Sequence, residues 1–268
     1  MAASKTEALI LRSVDFSESD RVIHLLVPDV GRVAAIARGA RRSAKRFGGT
    51  LDLFNHLRVQ IERRRSGGLS RLDQAELVRS FTPLRVDPAR FGLGCYLLEL
   101  LDRLAPEGGS PQDMRRLFAF ALSALETVSA RRPDAQLRTL LELRTLAALG
   151  LRPELRDCVR CGRAVDSEGE VAFHVAEGGP LCGPCAARLT GLLRVHLGTL
   201  RALERGLRLG SERLDRLVLP PRALLEARRL VAQFQRFHLG LELRSERFLE
   251  QMLSAASAPA PPSESARR

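Results

Sequence analysis

The chain has 268 residues, 45% of them hydrophobic, and a formal net charge of +12. That apolar fraction is enough to build buried cores, which excludes a mostly disordered basic protein. No stretch approaches about 18 consecutive apolar residues, which excludes a membrane-spanning helix. The polar N-terminus lacks the apolar run of a secretion signal. We therefore expect a protein of the reducing cytoplasm.

The positive charge is concentrated at the two ends of the chain. Residues 1–80 carry 15 basic and 9 acidic side chains, residues 191–268 carry 14 and 8, and the segment between them is neutral overall. Nearly all of the cations are arginines, a bias that a GC-rich genome would also produce. The excess of positive over negative side chains favours a polyanionic partner. The chain lacks the GxxxxGK[ST], HExxH and GxSxG motifs, and we expect a protein that is not an enzyme.

Short apolar or alternating segments in the first 80 residues predict five β-strands. These segments are residues 8–11, 21–27, 31–38, 57–61 and 69–77. So many short strands in so short a stretch favour a small barrel, of which the OB-fold is the common nucleic-acid-binding type. We assign residues 1–80 to an OB-fold DNA-binding domain.

The segment between Val30 and Leu51 contains six cations and no acidic residue. The six are Arg32, Arg38, Arg41, Arg42, Lys45 and Arg46. Residues 39–49 have glycines at both ends and predict an extended, flexible loop that can follow a phosphate backbone. A solvated loop without a partner is the alternative. Only three aromatic residues occur before residue 81, so we expect contacts with the sugar-phosphate backbone rather than base readout.

Beyond residue 90 the apolar spacing becomes helical and predicts an α-helical domain over residues 81–253. Its C-terminal helices are rich in arginine, and these arginines fit an ion-paired solvated face as well as a second nucleic-acid surface. Residues 254–268 are rich in Ala, Pro and Ser and predict a disordered tail.

Two CxxC pairs, Cys158 with Cys161 and Cys182 with Cys185, are separated by 20 residues. Two such pairs can hold one tetrahedral ion, so the spacing predicts structural Zn²⁺ in an inserted zinc-ribbon module over residues 154–190. Four protein ligands leave no open coordination position for catalysis. His174 lies between the pairs, and we interpret it as a hairpin residue rather than a ligand.

Two other functions remain open at this point. The CGPC sequence of the second pair is typical of a thiol–disulfide oxidoreductase, although that motif normally joins a strand to a helix in a βαβ sheet. Here the residues that follow it predict helices, and a matching CxxC precedes it. A zinc-ribbon transcription regulator is the other alternative, and it would require base-specific readout.

Several segments, taken together and in order, resemble the RecO family of bacterial DNA repair and recombination mediators. They are residues 7–11 (EALIL), 16–20 (FSESD), 38–42 (RGARR), 140–144 (LLELR), 149–153 (LGLRP), 158–162 (CVRCG) and 243–249 (LRSERFL). The resemblance spans nearly the whole chain. The order of the segments is more specific than any one of them.

The resemblance implies an α+β multidomain fold, in which an N-terminal OB-fold β-barrel is followed by an α-helical domain with an inserted four-cysteine zinc module. It implies binding of single- and double-stranded DNA, annealing of complementary strands and a location at the bacterial nucleoid. The implied partners are RecR and the C-terminal tail of the single-stranded DNA-binding protein SSB. Together with RecR, a protein of this family helps to load RecA in the RecF pathway. By motif position the four cysteines are metal ligands and Arg38, Arg41 and Arg42 are DNA contacts, whereas Lys45 and Arg46 rest on charge alone.

Overall fold

The structure is a computed structural model that describes residues 4–63, 68–166 and 169–257. Its N-terminal strands are β1 (Ser4–Asp15), β2 (Arg21–Val27), β3 (Gly31–Ala37), β4 (Asn55–Glu62) and β5 (Ser70–Ser80). Neighbouring strands follow the order β1-β2-β3-β5-β4, and β1 pairs with β4 as well as with β2, so the sheet closes on itself as a barrel. β3 and β5 are parallel, and the other neighbours are antiparallel.

Alternating apolar side chains fill the interior of this barrel. Val33, Ala35 and Ala37 are buried on β3, and the residues that alternate with them are half-buried. Leu57, Val59 and Ile61 are buried on β4 in the same period of two. A period of two places these side chains on one face of each strand. Full burial of a Val, Leu or Ile side chain stabilises the fold by about 1.5–3 kcal/mol.

The rest of the chain is mainly helical. The short helix α1 (Ala44–Phe47) lies between β3 and β4. The helices that follow the barrel are α2 (Pro83–Val86), α3 (Pro88–Leu104), α4 (Pro111–Ala130), α5 (Ala135–Ala148), α6 (Gly183–Ala186), α7 (Leu197–Arg208), α8 (Pro221–Leu239) and α9 (Arg244–Ser257). Helices α3 and α5 begin after Asp87 and Asp134, whose carboxylates accept a hydrogen bond from the N–H of the third residue of each helix and cap it.

The barrel and the helices share one hydrophobic core. Leu9, Leu11 and Leu26 of the barrel belong to the same buried cluster as the side chains of α3, α4 and α5. A polar group lies at the edge of this contact, where buried Asp102 of α3 is 2.6 Å from His24 Nδ1 and 3.5 Å from Arg32 Nη1. The barrel is therefore fixed against the helical part.

The cysteine pairs lie beside a small three-stranded sheet inserted after α5, one pair before its first strand and the other after its second. Its strands are β6 (Glu170–His174), β7 (Gly179–Leu181) and β8 (Leu193–His196), in the antiparallel order β7-β6-β8. β8 lies beyond residue 190, where we expected the module to end, because the edge of β6 opposite β7 is completed by a strand that leads directly into α7.

The C-terminal helix differs from the sequence expectation. α9 continues to Ser257 and packs against α3, so residues 254–257 are helical although we expected disorder from residue 254. The remainder of the expected tail, residues 258–268, lies outside the described residues. Among the described residues, no helix is both long enough and apolar enough to cross a membrane.

Candidate nucleic-acid interface and metal centre

The basic loop, residues 38–49, is folded rather than extended. Helix α1 lies within it, and Phe47 at the end of that helix is buried in the barrel core. Arg46 Nη2 donates to the carbonyl of Arg38 at 2.8 Å, and the N–H of Ser43 donates to the carbonyl of Gly39 at 3.0 Å. The expectation of a flexible extended loop is therefore wrong, because one buried aromatic side chain anchors the loop to the barrel.

Five of the six predicted cations lie on this loop and face solvent. They are Arg38, Arg41, Arg42, Lys45 and Arg46, and each is exposed. Because Phe47 anchors the loop and the bond from Arg46 to Arg38 draws its two ends together, the five charges occupy a limited surface. Exposed cations held close together attract a polyanion more strongly than the same charges spread over the protein.

An acidic turn, residues 15–20, lies against the basic loop. Arg41 Nη1 is 3.9 Å from a carboxylate oxygen of Asp15, and Arg42 Nη2 is 3.7 Å from one of Glu18. The N–H of Arg41 donates to the carbonyl of Ser19 at 3.1 Å. These carboxylates are not apparent as neighbours of the loop in the sequence, because they lie far upstream of it and only the pairing of β2 with β3 brings them to the loop.

Asp20 connects the acidic turn to the start of the basic loop. Its carboxylate accepts hydrogen bonds from the N–H of Gly39 at 2.8 Å and from the hydroxyl of Ser19 at 2.9 Å. These two donors, first Gly39 and then Ser19, lower the pKa of Asp20 below its usual 3.8. The carboxylate therefore stays ionised at neutral pH and holds turn and loop together.

Arg32 does not belong to this surface. It lies at the other end of β3, where it contacts Asp102 at 3.5 Å and also pairs with Glu107. Its N–H donates to the carbonyl of Pro106 at 2.8 Å. Six residues of extended strand separate it from Arg38 by about 20 Å. Arg32 therefore contributes to the contact between barrel and helices, although its position in the sequence suggested a DNA contact.

The four predicted cysteines come together in one cluster. The sulfur atoms of Cys158, Cys161, Cys182 and Cys185 all lie within 4.8 Å of one another, and Cys161 Sγ is 3.6 Å from Cys182 Sγ. Four thiolates around a tetrahedral zinc ion, each about 2.3 Å from the metal, lie about 3.8 Å apart. The cluster therefore fits a metal ion, and His174 is not part of it.

Backbone N–H groups favour the thiolate form of two of these cysteines, and the thiolate is the form that binds a metal ion. Burial acts to raise the pKa of Cys158, but the N–H groups of Cys182, Cys161 and Arg160 donate to its sulfur and lower the pKa to about 6. The N–H of Arg163 lowers the pKa of Cys161. The pKa of Cys185 rises to about 12, first because of its hydrogen bond with Cys182 and then because of desolvation. A shared cation would favour deprotonation of all four.

The surroundings of the CGPC pair differ from those of a redox motif. Cys182 immediately precedes the four-residue helix α6 and Cys185 lies within it, and this helix follows a strand of the antiparallel β7-β6-β8 sheet rather than a βαβ unit. The N–H of Val159 donates to the carbonyl of Pro180 at 3.1 Å and joins the two CxxC turns. This arrangement is typical of a metal-holding ribbon.

Comparison with known families assigns both halves of the chain. The model described as "Recombination protein O N terminal" matches residues 1–81, and "Recombination protein O C terminal" matches residues 85–247. The four cysteines lie within the second match and the basic loop within the first.

Curated relatives align along almost their whole length. The DNA repair protein RecO of Anaeromyxobacter dehalogenans (strain 2CP-1) is 38% identical over 252 residues, which are 94% of this chain and 98% of the relative. That of Symbiobacterium thermophilum is 35% identical over 256 residues, covering 95% and 100%. That of Myxococcus xanthus is 36% identical over 249 residues, covering 92% and 96%. With both family models matched and relatives of this similarity, the chain belongs to the RecO family.

Proposed function

We propose that this protein binds DNA through the basic loop, anneals complementary strands and acts as a mediator of recombinational repair. The single observation that carries the proposal is the set of five exposed cations held on one anchored loop beside the barrel. The names of the relatives, DNA repair protein RecO, support the assignment to repair. The closed five-stranded order, with a helix between β3 and β4, supports an OB-fold for the N-terminal domain.

The mechanism is neutralisation of phosphate charge. Arginine presents a planar fork of donors that matches phosphate oxygens, and it stays ionised at every physiological pH. Such contacts orient a strand but do not read its sequence. When the basic loop covers part of the charge of one strand, a second strand approaches with less repulsion, and pairing can begin between the two.

The acidic turn competes with DNA for the arginines of the basic loop. Asp15 and Glu18 lie beside Arg41 and Arg42, so a phosphate must replace these carboxylates as the partner of each guanidinium. Exposed pairs of this kind are weak, about 0.2–1 kcal/mol each, and a polyanion displaces them. The turn therefore lowers affinity for isolated anions more than for a strand that engages several cations at once.

The metal centre has a structural role in this account. Cys158, Cys161, Cys182 and Cys185 would hold one Zn²⁺, which cross-links the two CxxC turns when bound. All four coordination positions would be filled by protein thiolates, so the ion would fix the turn that precedes β6 relative to the turn that follows β7. DNA binding by the distant basic loop does not require it.

Partnership with RecR, with the acidic tail of SSB and, through them, with RecA is proposed from membership in the family. We infer that these contacts direct the annealing activity to DNA coated with SSB. These protein contacts would select SSB-coated DNA, whereas the basic loop by itself binds any sugar-phosphate chain.

A strand-annealing assay on SSB-coated complementary oligonucleotides tests the proposal. We expect the wild-type protein to accelerate annealing and the double variant Arg41→Glu/Arg42→Glu to lose most of that acceleration. Arg115→Glu/Arg116→Glu is the matched control, since these adjacent arginines on α4 are also exposed and each lies beside a carboxylate, of Asp29 and Asp113. Equal loss in both variants would contradict a specific role of the basic loop.

A further inference from the structure

The acidic turn carries an exposed aromatic ring next to the basic loop. Phe16 is 64% exposed, although a phenylalanine gains nothing from contact with water. The other aromatic side chains of the barrel segment that the structure describes are occupied in packing, with Phe47 at 2% and Phe54 at 0% exposure. Phe16 is therefore available for a ligand.

The backbone holds Phe16 in a fixed position. Its N–H donates to the carbonyl of Asp20 at 2.9 Å, and the N–H of Asp20 donates to the hydroxyl of Ser17 at 3.1 Å, so the turn is closed by its own hydrogen bonds. Val14, two residues earlier and near the end of β1, is also exposed. Together they form a small apolar surface.

This apolar surface adjoins the cations. Two hydrogen bonds join the acidic turn to the basic loop. The N–H of Arg41 donates to the carbonyl of Ser19 at 3.1 Å, and the N–H of Gly39 donates to the carboxylate of Asp20. Asp15 and Glu18, on either side of Phe16 in sequence, contact Arg41 and Arg42. The turn that carries the exposed ring is therefore the turn that contacts the two guanidinium groups.

We propose that Phe16 stacks on an unpaired nucleobase of a strand whose phosphates lie on the basic loop, which gives this site a preference for single-stranded DNA. The inference rests on the proposed function, because it requires a strand on that loop. Every base has a π-face, so one stacking ring tolerates any sequence. In a duplex the faces of the bases are covered by their neighbours, and the ring gains nothing from it.

The positive charge of the surface favours a DNA strand over a hydrophobic protein as the ligand. A hydrophobic protein partner would have to bury the five neighbouring cations or supply matching acids, whereas a single strand offers a base and phosphates a few ångströms apart along one chain. Stacking of one base on an aromatic ring is measured as a loss of about tenfold in affinity, or more, when the ring is removed.

A tryptophan at this position reports stacking directly. The chain contains no Trp, so Phe16→Trp has a single indole, whose fluorescence a stacked base quenches. We expect quenching by an oligo(dT) strand and none by an abasic strand of equal length or by a duplex, although all three bind through phosphate. Phe237→Trp is the matched control, since Phe237 is 60% exposed on α8, and we expect no quenching there.

Affinity measurements with Phe16→Ala complete the test. We expect affinity for oligo(dT) to fall about tenfold, affinity for the abasic strand and the duplex to change less than twofold, and Phe16→Tyr to restore binding. Equal losses on oligo(dT) and on the abasic strand would show that the ring supports the turn and would overturn the inference, as would an unchanged affinity for all three. Failure of the wild-type protein to bind any of them would instead remove the proposed function.

Discussion

At the scale of single residues, Arg41 and Arg42 each have two competing partners. Each guanidinium lies within 4 Å of a carboxylate of the acidic turn, and in the proposed complex each contacts phosphate. Both carboxylates are exposed, so the competition takes place in a high dielectric, and each pair opposes DNA binding by less than about 1 kcal/mol.

Removal of the two carboxylates should therefore strengthen DNA binding. We expect Asp15→Asn/Glu18→Gln to bind single-stranded oligonucleotides about three- to tenfold more tightly at low salt, because the arginines no longer exchange partners. Fluorescence anisotropy with a labelled oligonucleotide measures this. Asp113→Asn, on α4 beside Arg116, is the control that also removes a negative charge. An unchanged or weaker affinity of the double variant would contradict the competition.

Arg32 illustrates the opposite case, a cation that serves the fold. We expect Arg32→Ala to lower the free energy of unfolding by about 1–2 kcal/mol, because Asp102 is buried and loses one of its two partners. Affinity for DNA should change less than twofold. Urea unfolding and anisotropy on the same preparation separate the two effects, and Arg38→Ala should show the reverse pattern. A large loss of DNA affinity with an unchanged free energy of unfolding would show instead that Arg32 contacts DNA.

The sequence predicted which residues carry charge but not which charges meet. Six cations without an intervening acid formed one set along the chain, yet β3 carries Arg32 to the interdomain contact, and the pairing of β2 with β3 brings Asp15 and Glu18 to the others. Long-range pairing of this kind leaves no mark in local composition. The four cysteines were predictable because metal geometry fixes their spacing within each pair.

At the scale of elements, the strands followed from the period of two, whereas the basic loop did not. Each predicted strand overlaps an observed one, and β2 spans exactly the predicted residues 21–27. The prediction for the loop was wrong because its glycines and cations are typical of a solvated segment. The burial of Phe47 depends on contacts with barrel residues that are distant in sequence, which local sequence does not describe.

The metal should stabilise the small sheet and not the DNA-binding surface. We expect one zinc ion per chain, and we expect Cys161→Ser or treatment with a strong chelator to lower the melting temperature. Oligonucleotide affinity at a temperature well below the transition should change less than threefold. Cys95→Ser, at the one cysteine outside the cluster, should retain the metal. Loss of DNA binding in proportion to zinc would contradict the separation of the two sites.

Glu99 of α3 provides an N-terminal cap for α9 from outside that helix. Its carboxylate accepts hydrogen bonds at 2.9 Å from the N–H groups of Arg244 and Ser245. Burial acts to raise the pKa of Glu99, but the hydroxyl and N–H of Ser245 and the N–H of Arg244 lower it below the usual 4.5. Since the folded-state pKa is depressed, this stabilisation is complete above pH 4.5 and is lost as the pH falls through the folded-state value.

We therefore expect Glu99→Gln to lower the free energy of unfolding by about 1 kcal/mol at pH 7. The difference from the wild-type protein should shrink as the pH falls below 4.5, through the depressed pKa of Glu99. Urea unfolding at several pH values measures it. Glu126→Gln, which removes an exposed carboxylate paired with Arg79, should cost less than about 0.5 kcal/mol. A difference for Glu99→Gln that is the same at pH 7 and pH 3 would show that the charge is not involved.

At the scale of the whole molecule, net charge and surface charge are separate quantities. The chain carries +12, but many of its arginines are paired within the helical part, as Arg138 is with Glu142 and Arg152 with Glu204. The basic loop differs because its five cations outnumber the three carboxylates of the acidic turn beside them, Asp15, Glu18 and Asp20. The order of motifs along the chain predicted the family, and the structure adds which cations remain available to a polyanion.

The salt dependence of DNA binding tests this account most directly. If the five loop cations each neutralise one phosphate of a single strand, log affinity should fall with log salt at a slope of about −3.5. Replacing two of them in Arg41→Gln/Arg42→Gln should reduce the slope to about −2.1, equally for oligonucleotides of different sequence, and Arg115→Gln/Arg116→Gln should leave it unchanged. A flat salt response of the wild-type protein, or a slope that the Arg41/Arg42 replacement does not change, would contradict phosphate neutralisation by the basic loop.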